Sequence, residues 1–297
     1  MFGDQQAGIR STTPSCDAGA EFLTAHDYME HRLTPLLCPS SIAVVGASRR
    51  DGVGKYVMRN LLQGGYPGKL YAVNPGYDSV EGVQCYAALA DLPEPAEHII
   101  FAVGDTRIEA ALDDAIQHGV KAATIYSSLA LANDSQPPLQ QRIKTKAEAA
   151  SILLAGANGM GFYNFRDKMW AGGFDTRGNH RYPGNVSLLS QSGAGMSGIV
   201  DCEERIDFNF AASTGQELVV GVEDYLDFVL DQPETKVVGL FLETSRQPQK
   251  LLAALQKATQ RKIPIVAIKV GKTELAAELA QSHSGALAGT DASYQAV

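Results

Sequence analysis

The sequence is poor in the residues that mark secreted and metal-binding proteins. Its 297 residues include only four cysteines, and these are scattered, with no Cys-x-x-Cys pair and no histidine cluster beside them. Cysteines used in this way argue against a disulfide framework and against a zinc site. We therefore expect reduced thiols and no bound metal.

Long apolar runs and an excess of positive charge are also missing. No apolar stretch approaches the roughly 18 residues that a membrane helix needs, and the N-terminus lacks a basic-then-apolar signal. The formal net charge of -8 argues against a nucleic-acid-binding surface or a polybasic membrane surface. With 45% hydrophobic and 20% charged residues, the chain can still bury an ordinary core. We expect a soluble cytoplasmic protein without nucleic-acid or membrane partners.

What the sequence does contain is a regular alternation of short apolar strands and helices. In the first half, strands are predicted at 41–45, 70–73, 98–103, 122–126 and 151–154, and helices at 56–62, 108–117 and 139–150. In the second half, strands are predicted at 186–189, 209–212, 237–242 and 265–270, and helices at 193–204, 222–230 and 251–258. Continuous apolar strands separated by helices are typical of parallel sheets covered on both faces.

The alternation stops once, in a glycine- and proline-rich stretch, and this break predicts the domain boundaries. A chain of this length exceeds one typical domain. We predict a polar tail at 1–35 with a short helix near Phe22 to Arg32, a Rossmann-like α/β domain at 36–161, a linker with room for a hairpin at 162–184, and a second α/β domain at 185–297.

The first predicted strand opens into a glycine-rich loop that runs from Gly46 to Gly54 and leads into a helix. Glycines at such a place let backbone N–H groups approach a phosphate, although ordinary turn chemistry explains them equally well. The loop lacks Gly-x-Gly-x-x-Gly, and no acid ends the second strand to hold the ribose of NAD. Lys69 before that strand and Asn74-Pro75 after it favour a phosphorylated ribose, such as that of coenzyme A.

A second strand–turn–helix unit starts the second domain. In this turn, Ser190 or Ser192 is a natural N-cap, and Gly193 leaves N–H groups open to an anion; a capped helix packed on its sheet is the alternative. Glu243 ends the strand at 237–242. Because parallel sheets place ligands at the carboxyl ends of their strands, this turn, Glu243 and the loop around His283 are predicted to share one edge.

His283 stands in a turn of small residues, from Gln281 to Gly289, beyond a predicted helix. A neutral imidazole is a competent nucleophile once a carboxylate orients its other nitrogen, and Glu243 can supply that carboxylate. A surface histidine and a solvated strand-end carboxylate are the alternatives. The other five histidines do not lie in comparable turns.

Together these motifs resemble the NDP-forming acyl-CoA synthetases, the superfamily of succinyl-CoA synthetase alpha subunits and ADP-forming acetyl-CoA synthetases. The resemblance covers about residues 36 to 297. It rests on Val44-Val45-Gly46-Ala47-Ser48, Tyr71-Ala72-Val73-Asn74-Pro75, Gly156-Ala157-Asn158-Gly159-Met160-Gly161, Ser190-Gln191-Ser192-Gly193, Asp231-Gln232-Pro233-Glu234-Thr235-Lys236-Val237 and Ser282-His283-Ser284-Gly285-Ala286-Leu287-Ala288-Gly289.

The resemblance implies a fold and a set of site residues. The first domain should be a Rossmann-like domain that binds coenzyme A, and the second a flavodoxin-like, succinyl-CoA synthetase-like domain whose histidine is phosphorylated. The implied catalytic residues are His283 and Glu243, and the implied phosphate-binding residues are Ser192, Gly193 and Gly285. The implied cofactor-binding residues are Gly46, Ala47, Ser48, Val53, Gly54, Lys69, Asn74, Pro75 and Asn158.

The resemblance also implies a reaction and a partner. Acyl-CoA and phosphate would give an acyl phosphate and free CoA, and the phosphoryl group would pass to His283 with release of a small carboxylic acid. ADP or GDP would then take up the phosphoryl group. The last step belongs to an ATP-grasp domain, which would bring ATP and magnesium and is not among these residues. We expect a fragment or a subunit, completed by such a partner in an oligomer.

Three positions depart from the usual family pattern, and two rival functions remain. Ser284 replaces a threonine, Tyr126-Ser127-Ser128-Leu129 stands where a Gly-Phe turn is usual, and Gln216 replaces an asparagine. The main rival is a regulatory region that senses CoA or acyl-CoA for a protein acetyltransferase without turnover. An NAD-linked oxidoreductase is the second rival, and the missing acid after the second strand weakens it.

Overall fold

The computed structural model describes residues 31–176, 183–202 and 205–270. The helix predicted near Phe22 to Arg32 lies almost entirely outside these residues, and the loop that carries His283 and Gly285 lies wholly outside them. The elements below all belong to one compact unit that begins at Arg32. No helix among the described residues is long and apolar enough to cross a membrane.

The first domain is built on a seven-stranded sheet. Its elements are α1 (Thr34–Leu37), β1 (Ser41–Val45), α2 (Val53–Gly64), β2 (Lys69–Val73), β3 (Ser79–Val80), β4 (Val83–Tyr86), a 3-10 turn (Leu89–Asp91), β5 (His98–Phe101), α3 (Asp105–Gln117), β6 (Ala122–Ile125), α4 (Leu139–Ala149) and β7 (Leu153–Gly156). The strand order is β3-β4-β2-β1-β5-β6-β7, and every pairing except β3 with β4 is parallel. The order in which successive strands join the sheet reverses between β1 and β5. Open α/β sheets bind their ligands at such a switch point.

The second domain is built on a six-stranded sheet. Its elements are β8 (Gly161–Asn164), β9 (Met169–Gly172), β10 (Val186–Ser190), α5 (Gly193–Cys202), β11 (Phe208–Ser213), α6 (Val222–Asp231), β12 (Val237–Leu242), α7 (Pro248–Arg261) and β13 (Ile265–Lys269). The strand order is β13-β12-β10-β11-β8-β9, with β10 to β13 parallel and β8 and β9 antiparallel. Two α/β sheets in tandem confirm the predicted fold class.

The stretch predicted as a linker, 162–184, holds the hairpin for which the sequence left room. Its strands extend the second sheet, since β8 pairs with β11 and β9 pairs with β8. They also pack on the first domain, since Asn60 Nδ2 of α2 donates to Gly172 O at 2.9 Å and to Phe174 O at 2.8 Å. Residues 162–174 are therefore part of the folded core rather than a free connection.

Most strands lie where apolar runs predicted them, because these strands are buried on both faces. In β1, Ile42, Ala43 and Val44 have no exposed surface, and the bounds of this strand are those predicted. The strand predicted at 151–154 begins later, at Leu153, because Ser151 adopts a left-handed φ of 56° that closes the preceding helix. The hairpin of β3 and β4 was not predicted.

Candidate functional site

The loop after β1 folds back tightly on itself, and two of its glycines are required for this. Gly46 has a φ of +91°, and a Cβ there would lie 2.5 Å from Ala102 O. A Cβ on Gly54 would lie 2.2 Å from Gly46 O. Only glycine fits either position, so the first turn of α2 comes against the end of β1. This places the free N–H groups of a helix start at the switch point between β1 and β5.

The predicted residues after β2 join this loop. Asn74 Nδ2 donates to Ala47 O at 2.8 Å, and Asn74 Oδ1 accepts from Gly76 N at 2.9 Å across Pro75. Ser48 Oγ accepts from Arg50 N at 3.0 Å. Val53 is the first residue of α2. Of the nine predicted cofactor-binding residues, the structure thus brings Gly46, Ala47, Ser48, Val53, Gly54, Asn74 and Pro75 together.

Lys69 does not join them. The β1–β2 register pairs Ser41 with Lys69 and Val45 with Val73, which places Lys69 at the amino edge of the sheet, opposite the glycine loop. Four strand residues separate the two edges, a distance on the order of 13 Å. Lys69 Nζ is instead 2.6 Å from a carboxylate oxygen of Glu94. The prediction that Lys69 shares the site with the loop is wrong, because the first residue of a parallel strand lies away from the carboxyl edge.

A cation that does stand at this edge is Arg49, which was not among the predicted cofactor-binding residues. Arg49 Nε donates to Ser79 O at 2.8 Å, Arg49 Nη2 donates to Ser79 Oγ at 3.1 Å, and the guanidinium lies 5.4 Å from the Tyr77 ring centroid. These contacts hold an exposed positive charge just beyond the end of β2. Its place within the glycine loop was the signal that could have found it.

Asn158 follows β7 on the same edge, three strands along the sheet from β1. Its backbone has a left-handed φ of 53°, and its N–H donates to Ser127 O at 2.9 Å in the loop after β6. Asn158 therefore shares the carboxyl edge with the glycine loop, three strands away from it.

In the second domain, the turn after β10 is a capped helix start. Ser192 Oγ accepts from Gly195 N at 3.1 Å, and α5 begins at Gly193. Ser190 Oγ accepts from Ser192 N at 3.1 Å and donates to Ser192 O at 2.7 Å, which holds the turn. Ser192 is thus the N-cap of a ten-residue helix, and the helix dipole at this end favours an anion.

Glu243 lies at the same edge as this turn, as predicted. The β10–β12 register pairs Ser190 with Phe241, and Gln191 N donates to Phe241 O at 3.1 Å. Glu243 follows β12 directly and is buried, and its Oε2 has no hydrogen-bond partner among the described residues. A buried carboxylate oxygen left without a donor is costly and points to a missing partner. Whether His283 is that partner lies outside the described residues.

The carboxyl edges of the two sheets are joined by direct hydrogen bonds. The loop after β11 supplies Gln216 N and Leu218 N, which donate to Ala157 O at 2.7 Å and to Gly156 O at 3.0 Å. Gln216 Nε2 donates to Ser128 O at 3.1 Å. The loop after β11 of the second domain therefore lies directly against the loops that follow β6 and β7 of the first.

A network of buried polar side chains at this junction was not predicted. Gln191 Nε2 donates to Glu217 Oε1 at 3.0 Å and to Thr244 O at 2.7 Å. Burial is the main cause that raises the pKa of Glu217 to about 7; the hydrogen bonds from Thr214 and Gln191 oppose this shift, and the neighbouring Glu223 carboxylate adds to it. The network therefore holds a carboxyl group that changes charge near neutral pH.

Comparison with known families and proteins agrees with this arrangement. Residues 40–164 match the family described as CoA binding domain, and residues 183–297 match succinyl-CoA ligase like flavodoxin domain. An acetate–CoA ligase (ADP-forming) of Methanocaldococcus jannaschii is 31% identical over 273 residues, which is 90% of this chain and 37% of the relative. The alpha subunit of acetate–CoA ligase (ADP-forming) I of Pyrococcus furiosus is 29% identical over 89% of this chain and 58% of the relative.

A solved structure is similar over the same span. Dinucleotide-forming acetyl-coenzyme A synthetase 1 of Ca. Korarchaeum cryptofilum, in complex with phosphate and ADP, aligns with a TM-score of 0.78 and 29% identity, covering 89% of this chain and 57% of that chain. A coenzyme A-binding domain followed by a succinyl-CoA ligase-like domain defines the class. The chain belongs to the NDP-forming acyl-CoA synthetase family. It spans 37% and 58% of the length of the two curated relatives named above.

Proposed function

We propose that this chain is the coenzyme A-binding and phosphohistidine-bearing part of an acid–thiol ligase. With an ATP-grasp partner, the ligase interconverts acyl-CoA, NDP and phosphate with a carboxylic acid, CoA and NTP. The observation that carries the proposal is the junction of the two sheets, where the loop after β11 bonds to the end of β7 beside the start of α5. An acyl thioester held by the first domain and a phosphate held by the second would meet there.

Coenzyme A suits the first domain better than NAD. The closed loop at Gly46 and Gly54 exposes a helix start to a diphosphate, and Arg49 adds a positive charge beyond β2. No acid follows β2 to hold two free ribose hydroxyls, since Asn74-Pro75 stands there. A ribose that carries a phosphate is the better partner for Arg49.

Phosphate suits the turn from Ser192 to Gly193 in the second domain. A phosphate oxygen would attack the acyl carbon of the thioester, the carbon–sulfur bond would break, and CoA would leave as the thiol. An imidazole nitrogen of His283 would then attack the phosphorus of the acyl phosphate and release the carboxylate. Glu243 would hold the proton on the other ring nitrogen. The phosphohistidine would finally pass its phosphoryl group to ADP or GDP, which the ATP-grasp partner would bind with magnesium.

The relatives named above are ligases, which favours the synthetase over the acetyltransferase regulator. One of these relatives is an alpha subunit, which supports the proposal that the chain acts with a separate or linked ATP-grasp region. We propose a cytoplasmic oligomer with that partner and a small carboxylic acid as substrate.

Calorimetry on the 297-residue chain tests the ligand classes directly. We expect coenzyme A to bind more tightly than dephospho-CoA, and NAD to bind more weakly than either. Tighter binding of NAD than of CoA would contradict the proposal and favour the oxidoreductase.

A further inference from the structure

The Gln191 side chain ties together the ends of three strands. It follows β10, and its Oε1 accepts from the backbone N–H groups of Glu243, at 2.7 Å, and Thr244, at 2.9 Å, after β12. Its Nε2 donates to Thr244 O at 2.7 Å and to Glu217 Oε1, at 3.0 Å, after β11. Both amide donors are used, and the carbonyl oxygen accepts twice, so the capacity of the group is filled.

The partners fix the orientation of this amide. A flipped side chain would point an NH₂ group at two backbone N–H groups and an oxygen at two acceptors. Gln191 is 5% exposed, so water offers no substitute for the lost hydrogen bonds. The side chain therefore has a single low-energy arrangement, and that arrangement holds the backbone at Glu243.

Glu217 in turn holds Gln191 and is itself tied to the first domain. Its Oε1 accepts from Gln191 Nε2, from Thr214 Oγ1 at 2.6 Å and from Val222 N at 3.1 Å. Glu217 has a left-handed φ of 53°. The N–H groups of its two chain neighbours, Gln216 and Leu218, donate to carbonyl oxygens at the end of β7. Glu217 Oε2 is buried and 3.6 Å from Arg246 Nε.

We propose that Gln191 and Glu217 are positioning residues for Glu243, and that they set the place of its carboxylate relative to the first domain. This inference rests on the proposed function of Glu243 beside a phosphohistidine. Gln191 supplies the acceptor for the two N–H groups that begin the loop after β12, and Glu217 fixes Gln191 in turn. This role requires no contact between either side chain and the substrate.

Amide hydrogen exchange on the full chain tests, without any ligand, whether Gln191 holds the backbone at Glu243 and Thr244. Gln191→Met keeps the length of the side chain and removes both amide atoms. We expect exchange at Glu243 and Thr244 to become faster by roughly fivefold or more, since both N–H groups lose their acceptor. Gln232→Met is the matched control, because Gln232 is equally buried but lies at the C-cap of α6. Unchanged exchange in Gln191→Met would overturn the proposal.

Phosphorylation of the chain in complex with its ATP-grasp partner tests the functional part. With radiolabelled ATP and magnesium, Gln191→Met and Glu217→Ala should slow labelling by roughly 10- to 100-fold, the range found when an outer-shell partner is removed. CoA affinity should stay within about twofold of wild type. Glu217→Gln retains Oε1 as an acceptor and should restore most of the labelling rate. Gln232→Met should label like wild type.

Three outcomes distinguish a failure of this inference from a failure of the proposed function. If wild type labels and Gln191→Met labels equally fast, the positioning role fails while the proposed function stands. If Glu217→Gln is as slow as Glu217→Ala, Glu217 acts through its charge, and its positioning role fails. If wild type takes up no label at all, the proposed function fails, and the exchange experiment alone decides whether the two side chains hold the backbone.

Discussion

Met160 packs against Gly193, so closely that a Cβ on Gly193 would lie 2.7 Å from Met160 Cγ. Met160 belongs to the loop between β7 and β8, and Gly193 begins α5. The contact puts the last loop of the first domain directly on the helix start where the second domain can hold an anion. Substitutions at this contact therefore test whether the anion site lies there.

Removing the N–H group of Gly193 should weaken phosphate binding. Proline is tolerated at the first position of a helix, so Gly193→Pro deletes one donor without breaking α5. Met160→Ala should be combined with it, because the shorter side chain leaves space for the ring. We expect calorimetry to show weaker binding of inorganic phosphate to the double variant than to Met160→Ala alone. Equal affinities would place the anion elsewhere.

A methyl group at Gly54 should disrupt the glycine loop that we propose binds coenzyme A. The new Cβ would lie 2.2 Å from Gly46 O, a backbone atom that cannot move without opening the turn. We expect Gly54→Ala to lose CoA binding and to lower the free energy of unfolding by about 1–3 kcal/mol.

Gly198→Ala is the matched control for that substitution. A Cβ at Gly198 meets nothing within 4 Å, and the residue lies inside α5. Alanine should therefore stabilise the chain by up to about 1 kcal/mol and leave CoA binding unchanged. If urea unfolding and calorimetry give the same result for both variants, the account of the loop is wrong.

The two cations near β2 should differ in their effect on coenzyme A. Arg49 stands at the carboxyl edge and Lys69 at the amino edge, paired with Glu94. We expect Arg49→Ala to weaken CoA more than dephospho-CoA, because the 3′-phosphate is the group that distinguishes them. Lys69→Ala should leave both affinities unchanged. A larger loss in Lys69→Ala would contradict the assignment.

Apolar strands and the direction of a parallel sheet could be predicted from the sequence, and side-chain networks could not. The bounds of β1 and β12 follow from continuous apolar runs, and the shared edge of Ser192 and Glu243 follows from parallel strands. Lys69 was misplaced because a residue before a strand and a residue after it lie at opposite edges.

The hairpin of β8 and β9 was foreseen only as a possibility, since each of its strands has four residues. Gln191 and Glu217 become neighbours only through the order of β10, β11 and β12, which no local pattern in the sequence encodes. The same holds for the junction of Gln216 with Ala157, where loops from two domains meet.

Ionisation of Glu217 should make the protein less stable as pH rises towards neutrality. Burial raises its folded-state pKa to about 7 from an ordinary value of 4.5. The folded protein thus keeps a proton that the unfolded chain releases, so the stabilisation is complete at low pH and is lost as pH rises through about 7. Glu217→Gln lacks this ionisation.

We therefore expect the stability of Glu217→Gln relative to wild type to increase between pH 5 and pH 8, by up to about 3 kcal/mol. Urea unfolding at both pH values measures the difference. A difference that does not change with pH would show that Glu217 titrates in its ordinary range, and a change in the opposite sense would show that folding lowers its pKa.

The central claim is that His283 carries a phosphoryl group, and radiolabelling tests it most directly. The chain, mixed with its ATP-grasp partner, magnesium and γ-labelled ATP, should take up phosphate that is labile in acid and stable in base, as a phosphohistidine is. His283→Ala should abolish the label and leave CoA binding intact, and Glu243→Gln should weaken labelling strongly. Label that persists in His283→Ala would contradict the account and favour a regulatory domain that binds CoA without turnover.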